Sequence, residues 1–151
     1  MDRAAKEFGQ GPGESVKFCP GSLAVAAAEL AGAIACAHAA GIPIFSLPSR
    51  AGAGREAFFD AVRAALPLDP PLLGNRSWDA LSDSLFGGLL ALGADRILLV
   101  WTNAARMVAV SPDEADTAMA VLADVAAMLA EPKFTQGRPV SLAVLAVTES
   151  P

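Results

Sequence analysis

The chain has 151 residues, a formal net charge of −5, and a composition in which 54% of residues are hydrophobic. That length suits one domain burying about two thirds of its unfolded surface. The acidic balance argues against nucleic acid as a partner, since phosphate binding needs clustered Lys and Arg, and charge alone favours a basic protein instead.

From the N-terminus, residues 1–21 are rich in Gly, Pro and charge and read as an irregular arm ahead of a single domain over residues 22–148. Ser22 is a fair N-cap for an extra N-terminal helix to about Ala40, with Leu23, Leu30 and Ile34 on one side and Gly41 as its stop. The run 23–40 is apolar, and Ala37-His38-Ala39 fits a small-x-small cleavage pattern, but Glu29 and His38 interrupt it. The expectation is therefore no targeting segment, no membrane association and a cytoplasmic protein. Cys19 and Cys36, the two cysteines, have no metal-ligand spacing and read as reduced thiols. His38, the one histidine, reads as an ordinary helix-end residue, so neither metal nor cofactor is expected.

Ile42–Leu47 is a short strand candidate, with Pro43 keeping it out of the middle of a fully paired sheet. Phe58, Phe59, Val62, Ala65 and Leu66 give Arg55–Leu66 helical spacing, and Pro67, Pro70 and Pro71 end that helix. Ser77 is placed to cap a helix from Trp78 to about Ala91, with Gly87-Gly88 as a point of disturbance. Ile97–Trp101 is a continuous apolar run suited to a strand covered on both faces. Ser111-Pro112-Asp113-Glu114 opens a helix to about Ala130, with Met119, Leu122, Ala126 and Leu129 inward. Val140–Val147 is the last buried strand. Strands separated by helices predict an α/β fold with a three-stranded parallel sheet.

Enzyme signatures are absent. Gly52-Ala53-Gly54 lacks the length, lysine and serine/threonine of a phosphate loop, and no nucleophile elbow, zinc helix or Cys-His pair occurs. The informative segment is Gly74–Leu85, GNRSWDALSDSL. At about 100° per residue Trp78, Leu81 and Leu85 share one sector of a helix, while Asp79 and Asp83 fall nearly opposite. Like charges four residues apart cost a helix roughly 0.2–0.5 kcal/mol, so an exposed pair is either a plain solvated face or a surface offered to something positive. As an acid/base pair they lack the wall that would raise one pKa. Trp78 and Trp101 both read as core.

The run Trp78-Asp79-Ala80-Leu81, with Asp83 and Leu85, after a Pro-Leu-Leu-Gly-Asn loop, resembles the signature of the barstar family, small intracellular inhibitors of secreted bacterial ribonucleases. The order of elements from about Gly41 to Val147 resembles that family too. The resemblance implies a barstar-like three-stranded parallel sheet packed with helices, no enzymatic activity, and a basic ribonuclease or related nuclease toxin as partner of a chain that is monomeric when free. It implies a partner-binding patch of Leu73, Gly74, Asn75, Arg76 and Ser77 in the loop, Asp79, Ser82, Asp83 and Phe86 on the helix, and Asp124 on the last long helix. Carboxylates at a fixed helical spacing would take the phosphate positions of the ribonuclease groove. The alternative is a binding module of the same fold with a different partner, met through the apolar Leu72-Leu73 loop or the N-terminal arm.

Overall fold

The computed structural model describes residues 6–7, 17–18, 21–25, 27–47, 54–102 and 104–147, with side chains from residue 29 onward. In chain order the elements are β1 (Lys6–Glu7), β2 (Lys17–Phe18), β3 (Gly21–Val25), α1 (Ala27–Ala39), β4 (Ile44–Leu47), α2 (Arg55–Ala65), α3 (Trp78–Ala91), β5 (Arg96–Trp101), α4 (Ala104–Val110), α5 (Pro112–Ala130), a 3-10 turn at Pro132–Phe134, and β6 (Ser141–Val147).

The three expected strands are present and parallel, in the order β6-β5-β4, and β3 adds a fourth on the outer side of β6. β5 pairs from Arg96↔Ser141 to Trp101↔Ala146 with β6, and from Ile44↔Leu98 to Leu47↔Trp101 with β4. Ile97–Trp101 is buried at every position, as a central strand covered on both faces requires. Pro43 precedes β4, an edge strand, where its missing N–H disturbs no ladder.

Alternation along the strands divides the core in two. Leu47, Ile97, Leu99, Trp101, Leu142 and Val144 face the larger cluster under α2, α3 and α5. Leu98, Val100, Ala143, Leu145 and Val147 face a smaller one with Ala33, Ala37 and Ile42, against which Leu30 and Ile34 of α1 pack. Met119, Leu122, Ala126 and Leu129 of α5 all meet the larger cluster, as their spacing predicts.

Two corrections concern the expected elements. The N-terminal helix begins at Ala27, not at Ser22, because Gly21–Val25 pairs with β6 over the register Gly21↔Ala143 to Val25↔Val147. Backbone pairing with an existing strand overrides a local alanine-rich helical preference. Within the segment read as an irregular arm, Lys6–Glu7 and Lys17–Phe18 form a short antiparallel pair. The helix α4 was not legible: its seven residues, six apolar and Arg106, are too few to show a helical period, and it runs into α5 through Ser111, whose N–H donates to the Met107 carbonyl at 2.7 Å. Ser111 stands at the α5 start as expected, but its hydroxyl makes no capping bond. The α1 stop is as predicted: Gly41 has φ +74°, and Ile42 N–H returns to the Ala37 carbonyl at 2.9 Å. Of the cysteines, Cys36 is half-buried on α1, and Cys19 lies outside the described residues.

Candidate partner-binding site

The site begins with how α3 is fixed. Ser77 caps it, its hydroxyl accepting from Ala80 N–H at 3.0 Å. Trp78, half-buried, lies edge-on to Phe59 with ring centroids 5.0 Å apart and tilted against Phe58 at 5.9 Å. Phe58 in turn meets buried Trp101 at 5.0 Å. The first turn of α3 is thereby seated on α2, whose Phe58 rests in turn on the end of β5. Leu81, Leu85 and Leu89 point into the core.

Gly87 and Gly88 do not disturb α3, which is helical throughout. They admit the preceding loop. A Cβ on Gly87 would lie 1.9 Å from the Asp69 carbonyl oxygen, and one on Gly88 2.0 Å from that of Pro67. Two adjacent helix glycines, each unfavourable by about 1 kcal/mol against alanine, are retained where another backbone lies in contact. The loop therefore runs back along α3, with Asp69 N–H donating to the Ser84 carbonyl at 3.0 Å and Leu72 buried.

Further along, α2 takes hold of the loop. Arg63 Nη1 donates to the Gly74 carbonyl at 3.3 Å, and its Nη2 donates to Asn75 Oδ1 and to Asp60 Oδ1, the latter at 2.7 Å. Arg55 Nη1 donates to the Arg76 carbonyl at 3.4 Å, while its Nε faces Glu114 of α5 at 3.8 Å. Leu73, between the buried Leu72 and this clamped turn, is 94% exposed.

Loop and helix enclose an open groove of about 390 Å³, lined by residues 70–74, Arg76, Ser77, Ala80, Asp83 and Ser84. Its walls are mostly apolar; Asp83 supplies a carboxylate, and Ser84, 2% exposed, a buried hydroxyl. Asp79 and Asp83 are both exposed on α3, and among the described residues no cation lies within ion-pair distance of either.

Of the residues expected in a binding patch, Leu73, Gly74, Arg76, Ser77 and Asp83 thus share the groove. Asn75 is turned toward Arg63, and Asp79 is exposed beside the groove on the first turn of α3. Ser82 is half-buried, and Phe86 packs against the larger core cluster. Asp124 is exposed on α5 and does not line the groove. Sequence reasoning missed Arg55, Arg63 and Ser84. No spacing links an arginine of one helix to carbonyls of a later loop. The glycine pair beside a proline-rich loop was the one available signal of close approach.

Among the described residues no group of three or more His, Cys, Asp or Glu could hold a metal ion, and no helix is long and apolar enough to cross a membrane.

A parallel α/β sheet with a capped, acid-bearing helix and a clamped loop before it defines the class of protein. The family model described as Barstar (barnase inhibitor) matches residues 43–144, more than half of the chain and the whole of this site on α3. The chain belongs to the barstar family. No curated protein and no solved structure matches the chain.

Proposed function

We propose that this chain is an intracellular inhibitor of a basic ribonuclease or related nuclease toxin, acting as an immunity protein. It blocks the enzyme's active site with α3 and the loop ahead of it. The observation that carries this reading is the pair Asp79 and Asp83, both exposed on a helix whose start is fixed by the Ser77 cap and the Trp78–Phe59 contact. A ribonuclease groove is built to hold phosphates with Lys, Arg and His. Carboxylates held at a set interval fill the same positions with little loss of conformational freedom on docking. Charge complementarity also accelerates the encounter. The barnase–barstar pair is the standard worked case of such acidic hot spots.

Family membership supports the inhibitor class; Asp79, Asp83 and Leu73–Ser77 supply the proposed contacts, with Asp124 as an outlying acid. The test is hydrolysis of RNA by basic secreted bacterial ribonucleases, measured with and without the purified chain at low and high salt. Stoichiometric inhibition whose onset slows with salt is the expected result.

A second reading has its own observation. Leu73, 94% exposed beside a largely apolar groove, also suits a partner recognised by apolar contact rather than by charge. Salt-insensitive association with a protein that is not a ribonuclease would favour it.

A further inference from the structure

We propose that Arg63 is a positioning residue for the partner-binding surface, holding the Gly74–Asn75 turn from behind so that Leu73 and the first turn of α3 are presented preformed. The inference rests on the inhibitor reading for its functional consequence and on the hydrogen-bond pattern for its geometry.

Between Asp69, which donates to Ser84, and Ser77, which caps α3, seven residues cross the surface. Among the described residues, the hydrogen bonds tying this stretch to the rest of the protein come only from α2. Arg63 reaches both the Gly74 carbonyl and Asn75 Oδ1; Arg55, two turns earlier on the same helix, reaches the Arg76 carbonyl. A planar guanidinium can serve acceptors on two residues at once, which a lysine ammonium on a flexible stem does poorly.

The pairing of Arg63 with Asp60, at 2.7 Å and three residues away on the same helix, has two effects. It restricts the rotamer that reaches the loop. It also balances the arginine's charge, so that a cation behind an acidic face takes little from the potential that face presents. Ordering the turn before docking removes a cost that would otherwise fall on binding. Arg63 needs no contact with the partner to do this.

The test compares the full chain with Arg63→Met and Arg63→Lys by three measurements: backbone amide order parameters from NMR relaxation across residues 74–77, the urea unfolding midpoint, and the dissociation constant for a basic ribonuclease that the wild type inhibits. In Arg63→Met, order parameters at 74–76 are expected to fall from the rigid range of about 0.85 to below about 0.6, while those of β5 and β6 and the midpoint stay as in the wild type. Affinity should fall about tenfold, with Arg63→Lys between the two. Arg55→Met, read by the same relaxation experiment, provides an independent loosening of the turn should Arg63→Met lower the midpoint. Unchanged order parameters at 74–76 in the Arg63 variants overturn the proposal, as does unchanged affinity once the turn has loosened. If the wild type inhibits no ribonuclease, the inhibitor reading fails separately, and the relaxation data alone decide whether Arg63 orders the turn.

Discussion

Gly88→Ala probes the contact that lays the loop ahead of α3 along that helix. The added Cβ would lie 2.0 Å from the Pro67 carbonyl oxygen, 2.4 Å from its carbon and 2.7 Å from Leu68 N, all backbone atoms that cannot rotate away. Restoring an ordinary separation of about 3.4 Å means moving the loop by more than an ångström. That shift breaks the Asp69–Ser84 backbone bond, a net loss of about 1 kcal/mol, and lifts Leu72 from its site, a loss of about 1.5–3 kcal/mol. Alanine returns about 1 kcal/mol of helix propensity, leaving a net destabilisation of about 1.5–3 kcal/mol. Urea unfolding should show a midpoint lower by about 1 M. Gly32→Ala is the control: it lies exposed in α1 with nothing within 4 Å of its would-be Cβ, so the same substitution should stabilise by about 0.5–1 kcal/mol. If Gly88→Ala shifted the midpoint upward like Gly32→Ala, the loop would not rest on α3 as described.

Other substitutions read the remaining parts of the site. Ser77→Ala removes the cap accepted from Ala80 and should lower unfolding free energy by about 1 kcal/mol in the same urea assay. Asp83→Asn relieves the repulsion with Asp79 and should raise stability by a few tenths of a kcal/mol in thermal melts. Asp79→Asn should gain nothing, because Asp79 stands in the first turn, where a negative charge is favoured by the helix dipole.

Hydrophobic period and caps made the centre of the molecule legible. Ile97–Trp101 and Val140–Val147 suited strands buried on both faces, as β5 and β6 are, and Ser77 ahead of Trp78, Leu81 and Leu85 located α3 within a residue. Asp79 and Asp83 were placed on the exposed side by angle alone. What escaped depended on distant partners. Gly21–Val25 is a strand because β6 has a free edge, which its own residues do not announce. Phe86 follows the exposed-patch residues in sequence and is half-buried, with part of its ring packed against the larger core cluster. Gly87-Gly88 resembled a flaw in a helix until the loop lying against it was known. The clamp from Arg55 and Arg63 joins positions 11 to 21 residues apart, beyond any local pattern.

The most direct measurement is the dissociation constant of the Asp79→Asn/Asp83→Asn double variant, beside the wild type, for a basic ribonuclease that the wild type inhibits. The acidic face predicts a loss of about 2–5 kcal/mol, roughly 30-fold to several thousandfold in affinity, with an unfolding midpoint no lower than that of Asp79→Asn alone. Affinity equal to the wild type's, in a variant that folds normally, would contradict it.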